Sequence, residues 1–112
     1  MAKFTKNVTE DGDTLLRTVP RTNDDSFFAT LFCTGAFDGA TVTIKLSPDD
    51  GTTKVIAKDG GGSDVAYTAA DVKNFALGYG SNSSRDDGIK VYATVTDAGV
   101  STDIDITLFD NQ

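Results

Sequence analysis

The chain has 112 residues, which is enough for one hydrophobic core and too few for two. Its formal charge is −7, with 17 acidic against 10 basic residues. No run of Lys and Arg forms the basic stripe that a phosphate backbone or an anionic membrane surface requires. We therefore expect neither a nucleic acid nor a membrane as a partner.

The N-terminal residues are polar and end in turn formers. Residues 1–12 are therefore interpreted as an N-terminal arm or an edge segment, and residues 13–112 as a single domain. The first strand is predicted from Asp13 to Val19, where Pro20 closes it.

The most apolar stretch of the chain is residues 26–34, which we predict to be a strand. Its alternation puts four residues on one face: Phe27, Ala29, Leu31 and Cys33. Phe28 and Phe32 fall on the opposite face. A strand that is apolar on both faces is central in its sheet or is covered by a partner.

A β-hairpin follows. Val42, Ile44 and Leu46 alternate with polar residues, which predicts a half-buried strand. The turn after it combines Pro, Asp and Gly over residues 48–51, and a returning strand is expected over residues 52–58.

The next part of the chain is less regular. Residues 65–68 are predicted to be a short strand. Residues 69–77 fit one or two helical turns, with Thr68 as a possible N-cap, almost as well as a strand. Residues 78–88 form a polar, Gly-rich connection.

Two alternating segments end the chain. Residues 88–96 direct Ile89, Val91, Ala93 and Val95 inwards, and residues 100–109 do the same with Ile104, Ile106 and Leu108. We expect these two strands to pair as a terminal hairpin across the turn at residues 97–99. Together the segments predict an all-β fold, a single small β-sandwich or jelly-roll-like domain of six to eight antiparallel strands.

The chain offers little for catalysis. It has no His, which removes His-dependent triads and zinc sites with His ligands. Cys33 is the single cysteine and is expected to behave as a small buried hydrophobe. With no apolar signal segment at the start and no possible intrachain disulfide, the protein is expected to be made in a reducing cytoplasm.

Three acidic clusters are candidate calcium ligands. They lie at residues 11–13, 49–51 and 86–88, but none has the spacing of an EF-hand, and turn chemistry accounts for each of them. We predict no catalytic residue, no metal and no cofactor.

The candidate functional residues are therefore contact residues. They are the aromatics expected to point outwards and two apolar residues of the arm: Phe4, Val8, Phe28, Phe32, Tyr79, Tyr92 and Phe109. Burial under a loop or in the domain's own core is the alternative for each of them. So small a domain also covers spare apolar surface by forming oligomers.

The string from Gly35 to Val55, GAFDGATVTIKLSPDDGTTKV, resembles a recurrent pattern of small virion proteins of tailed bacteriophages. In that family a strand ending in Gly leads to a Gly-Ala-Thr-Val strand and then to a Ser-Pro-Asp-Gly-Gly-Thr-Thr-Trp turn. Residues 89–96 and 102–108 are similar to the strand pair that usually ends such chains. This chain departs from the pattern at Asp50, where Gly is usual, and at Lys54, where Trp is usual.

The resemblance implies a capsid decoration (cement) protein. Such a protein would bind the major capsid protein on the outside of the shell, away from the packaged DNA, and would stabilise the shell by mass action. It implies a homo-oligomer, with a trimer favoured, and an N-terminal arm that orders on the capsid surface.

Two other roles stay open. One is a tail, fibre or adaptor component of the same particle. The other is a carbohydrate- or host-surface-binding module that would use Tyr79, Tyr92 and the connection at residues 78–88.

Overall fold

The computed structural model describes residues 2–19, 27–77 and 88–111. Within these ranges the chain forms nine β-strands and no helix. The strands are β1 (Ala2–Val8), β2 (Gly12–Val19), β3 (Phe27–Ala36), β4 (Thr41–Ser47), β5 (Val55–Ile56), β6 (Ala66–Tyr67), β7 (Asp71–Leu77), β8 (Ile89–Thr96) and β9 (Asp103–Asp110).

The strands form two antiparallel sheets. One has the order β1-β9-β3-β7, and the other has the order β2-β8-β4-β5 with β6 also pairing with β4. The pairs β4·β5, β3·β7, β2·β8 and β1·β9 nest inside one another along the chain. One long antiparallel ribbon, with its tip at the β4–β5 turn, therefore wraps across two sheets, which is the topology of a jelly roll. The predicted all-β sandwich is confirmed, with nine strands instead of six to eight.

The core lies between the sheets, where the predicted alternation places it. Phe27, Ala29, Leu31 and Cys33 of β3 are all buried, whereas Phe28 and Phe32 are exposed. The inward residues of β8 and β9 follow the same rule, with Ile89 only partly buried at its strand's end. A period of two residues along each strand thus fixes which side chains fill the sandwich.

Residues 71–77 are a strand, so the helical interpretation of residues 69–77 is wrong. β7 pairs antiparallel with β3 along its whole length, and this pairing directs Phe75 into the core. The ring of Phe75 lies 6.2 Å from that of Phe27, centroid to centroid. Pairing with a neighbouring strand outweighs the weak local preference for helix.

The expected terminal hairpin is also wrong. β8 lies between β2 and β4 in one sheet, whereas β9 lies between β1 and β3 in the other. Each strand has a neighbour on both sides, so no edge is left for the two to pair. The connection crosses between the sheets and is held by the Thr102 hydroxyl, which donates to the Phe37 carbonyl at 2.8 Å.

The N-terminal segment is an edge strand over residues 2–8, the second of its two interpretations. β1 pairs with β9 from Ala2 to Val8, and the side chain of Val8 is buried. The turn that follows is anchored by Asp11, whose carboxylate accepts a hydrogen bond from the Ala98 amide at 2.8 Å.

Candidate functional site

The outer face of the β1-β9-β3-β7 sheet carries most of the exposed aromatic surface of the described residues. The outward side chains of β3 are Phe28 and Phe32, which are 55% and 40% exposed. On the neighbouring edge strand, Val72 is 46% exposed. We call the apolar surface formed by Phe28, Phe32, Val72, Ala76 and Phe109 the aromatic strip.

Cross-strand register arranges this face in rows. One row crosses the sheet through Lys3, Phe109, Thr30 and Asn74. The next row crosses it through Thr5, Thr107, Phe32 and Val72. On the two central strands, an aromatic residue therefore stands beside a Thr in each row, with their positions exchanged between rows. The face alternates large and small side chains.

Two aromatic residues of the strip, Phe32 and Phe109, contact each other, and Phe109 also lies near a cation. The rings of Phe32 and Phe109 meet edge to face with centroids 5.9 Å apart. The Lys3 ammonium nitrogen lies 5.7 Å from the centroid of Phe109. These groups line a shallow depression of about 370 Å³. Aromatic pairs in this geometry are attractive beyond the apolar area that they bury.

The two ends of the face differ in polarity. Beyond the rows just described, the Asn7 side chain donates to Asp103 at 2.7 Å and to Asp105 at 2.9 Å. The aromatic strip is thus bounded by a hydrogen-bonded acidic cluster at one end, while Phe28 lies at the other end.

A second depression, of about 430 Å³, lies beside the edge strand β7 and is lined in part by Phe28, Asn74 and Asp59. The carboxylate of Asp59 accepts hydrogen bonds from the amides of Gly61 and Ser63. These backbone hydrogen bonds hold the pKa of Asp59 below its ordinary value. An ionised carboxylate therefore borders this corner of the face.

On the outer face of the other sheet, the ring of Tyr92 is covered by polar contacts of its own chain. The Lys54 ammonium nitrogen lies 4.8 Å from the ring centroid of Tyr92 and 3.3 Å from the Asp13 carboxylate. The Thr94 hydroxyl donates to Asp13 at 2.6 Å. This hydrogen bond, followed by the contact with Lys54, lowers the pKa of Asp13.

The turn between β4 and β5 brings Lys54 to this position, and Ser47 and Asp49 organise it. The fully buried Ser47 hydroxyl oxygen accepts a hydrogen bond from the Gly51 amide at 2.7 Å. The Asp49 carboxylate accepts one from the Thr53 amide at 2.7 Å. The Ser-Pro-Asp motif therefore has a structural role: its hydrogen bonds stabilise the turn that places Lys54 over Tyr92.

The structure describes six of the seven predicted contact residues. Phe28, Phe32 and Phe109 are brought together in the aromatic strip. Tyr79 lies outside the described residues. Phe4, Val8 and Tyr92 contact their own chain.

Tyr92, Phe4 and Val8 do not offer the open contact surface expected of them. Tyr92 is half-buried beneath Lys54, and the ring of Phe4 packs against the core with the Arg17 guanidinium carbon 4.4 Å from its centroid. Val8 is 7% exposed, because its strand pairs with β9 and directs it inwards. The amphipathic alternation of β1 was hidden in a segment that looked uniformly polar.

Two buried polar residues were missed by the sequence analysis. Asp110 and Tyr67 are almost fully buried, and each joins the two sheets. The signal for Asp110 was present, since the inward alternation of Ile104, Ile106 and Leu108 continues to residue 110. A carboxylate at a core-facing position indicates a buried partner.

The described residues present no obvious reactive centre. No group of three or more Cys, Asp or Glu side chains among them is arranged to hold a metal ion. Cys33 is buried, and burial raises the pKa of its thiol to about 12, so it is a thiol and not a nucleophilic thiolate at neutral pH. No helix in this part of the chain is long and apolar enough to cross a membrane.

No protein-family model matches the chain, and no curated protein or solved structure matches it significantly.

Proposed function

We propose that the protein is a structural component of a tailed-bacteriophage particle, a capsid decoration protein that binds the major capsid protein on the outer surface of the shell. It would stabilise the assembled shell because it binds that state and not the free subunits.

The observation that carries this proposal is the turn over residues 47–54, in which the sequence resemblance is concentrated. Its motif residues are used for folding: Ser47 and Asp49 close the turn, and Gly51 lets it approach Tyr92. A motif that specifies a turn of the scaffold is consistent with a structural protein. This support comes from the resemblance together with the geometry, since fold alone does not imply function.

The charge and surface of the molecule support a role in an assembly. A net charge of −7 disfavours contact with packaged DNA and suits the outside of a shell. The aromatic strip lies on paired strands and is exposed in the single chain. Exposed apolar patches of this kind are typical of protein contact surfaces.

The carbohydrate-binding alternative loses one of its residues. Sugar platforms need an open aromatic face, and the face of Tyr92 is occupied by Lys54.

Protein stoichiometry in purified particles of the source virus tests the proposal. We expect a copy number comparable with that of the major capsid protein. A handful of copies would assign the protein to the tail or fibres, and its absence from particles would overturn a virion role. Adding purified protein to shells that lack it, then measuring bound protein and shell melting temperature, tests stabilisation directly.

Deleting the N-terminal segment would not test whether it contacts the shell. Removing residues 1–12 would delete β1 and the buried Val8, so loss of binding would report loss of folding. Substituting the outward residues Lys3 and Thr5 preserves the strand and tests its surface alone. Unchanged shell binding in these variants would rule out a contact through β1.

A further inference from the structure

The outer face of the β1-β9-β3-β7 sheet is self-complementary, and we infer that it binds a second copy of the same face. The two copies are related by a two-fold axis that lies between the two facing sheets. The axis runs parallel to the strands, above the line midway between β9 and β3. Each sheet then covers the aromatic strip of the other. This inference does not depend on the proposed function.

Side-chain size is the first argument. This axis places β9 of one copy over β3 of the other and keeps each row opposite the same row. Phe109 then faces Thr30 of the other copy, and Phe32 faces Thr107. Large residues meet small ones at each central position, as packed sheets require for interdigitation.

Charge selects this axis over the alternative. The same operation places β1 over β7 of the other copy, so Lys3 faces Asn74 and the neighbouring Asp59. Lys58 lines the same corner, but its ammonium group is paired with Asp64, so the ionised Asp59 leaves the corner with a net negative charge. The acidic Asp105 faces Thr34 and meets no second carboxylate. An axis perpendicular to the strands could also place Phe over Thr, but it would set Lys3 opposite Thr5 and lose the charge contact.

Area is the third argument. Four strands about 4.8 Å apart, each contributing about seven residues of 3.3 Å rise, give a flat face of about 440 Å². This is about half of the roughly 800 Å² per partner that a standard stable interface buries, so we expect a weak dimer. The whole face is therefore needed, and the pairing closes at two copies instead of forming a trimer or a filament.

Sedimentation velocity of the purified chain, without any shell, tests the inference. We expect a concentration-dependent dimer between micromolar and millimolar protein. The variant Phe32→Asp should weaken association by about tenfold or more, because it buries a charge at the centre of the interface. A wild-type chain that stays monomeric throughout this range overturns the inference.

Leu15→Asp is a matched control for Phe32→Asp, because the two side chains are about equally exposed. Leu15 is 41% exposed, against 40% for Phe32, but it lies on the outer face of the other sheet, where its strand partner is Tyr92. Leu15→Asp should leave the dimer unchanged. Equal weakening by both substitutions would show that association does not use the proposed face.

Variants with one added cysteine test the geometry and do not depend on the folding of Phe32→Asp. The native Cys33 is buried in each of them. Lys3→Cys and Asn74→Cys, mixed in equal amounts with a short bifunctional thiol cross-linker, should give a cross-linked heterodimer, while either variant alone should give little. A linker is needed because facing sheets lie about 10 Å apart, beyond the reach of a direct disulfide. A cross-link between Lys3→Cys and Thr5→Cys would indicate the perpendicular axis and overturn the arrangement. Absence of any cross-link in the first mixture would also overturn it.

Discussion

The side-chain nitrogen Nε of Arg17 lies 2.8 Å from the carboxylate Oδ2 of Asp110, and this ion pair joins the two sheets. The Asp110 side chain is fully buried and that of Arg17 is 17% exposed. A β-bulge between Leu15 and Arg17 gives Arg17 the buried Val91 as its strand partner, so it points inwards. The bulge is what brings the guanidinium to the carboxylate.

Breaking this ion pair should be costly. Arg17→Met removes the cation beside a buried carboxylate and should lower the free energy of unfolding by about 3–5 kcal/mol, as measured by urea denaturation. The matched control is Lys58→Met, which breaks the exposed pair with Asp64 and should cost less than about 1 kcal/mol. Equal losses in the two variants would contradict the structural role of Asp110.

Tyr67 makes the second polar link between the sheets. Its buried hydroxyl donates to the carbonyl oxygen of Leu31 at 2.9 Å. Tyr67→Phe leaves that acceptor without this donor in the core and should cost about 1–3 kcal/mol of unfolding free energy. Tyr92→Phe, at a half-buried ring, should change stability by less than about 0.5 kcal/mol. A neutral Tyr67→Phe would show that the hydrogen bond adds nothing.

In the turn between β4 and β5, the adjacent positions 50 and 51 should differ in their tolerance of substitution. Gly51 has φ 93°, and a Cβ there would lie 2.7 Å from the Tyr92 hydroxyl oxygen. Gly51→Ala should therefore destabilise the fold by about 1–3 kcal/mol in thermal or urea unfolding.

Asp50 has a backbone conformation that suits Gly. Its φ is 61°, a left-handed conformation that Gly adopts without strain. Its carboxylate lies 3.0 Å from the Lys90 ammonium nitrogen, which offsets part of the strain. Asp50→Gly should leave the unfolding free energy within about 0.5 kcal/mol of wild type. A loss as large as that of Gly51→Ala would contradict this assignment.

Acid should destabilise the protein through the turn carboxylates. Hydrogen bonds from Thr53 lower the pKa of Asp49, and backbone hydrogen bonds lower that of Asp59. A lowered pKa in the folded state gives stability above the ordinary Asp pKa, and this stability is lost as pH falls through the lowered pKa. We expect the melting temperature to fall between about pH 4 and pH 2.

The Asp49→Asn variant isolates part of this acid effect. It cannot gain stability by ionisation, so its melting temperature should depend less on pH across the same range than that of the wild type. Parallel pH curves for the variant and the wild type would contradict a contribution from Asp49.

The sequence determined the side chains of the core because the two-residue period of a strand is a local property. The inward positions of β3, β8 and β9 could be read from alternation alone. The same pattern placed Phe28 and Phe32 on the opposite face of β3, but it did not determine whether that face is exposed or covered. The turn at residues 47–54 was also predictable, since Ser47, Asp49 and Gly51 act within a few residues of each other.

The tertiary structure decided which strands are neighbours, because strand pairing depends on backbone groups that all sequences share. Adjacency along the chain suggested that β8 pairs with β9, whereas the jelly roll places them in different sheets. The tertiary structure also brings Arg17 beside Asp110, through a β-bulge that could not be predicted from the local sequence pattern. The aromatic strip arose in the same way: β3 supplies Phe28 and Phe32, but only its pairing with β9 and β7 adds Phe109 and Val72 to form one surface.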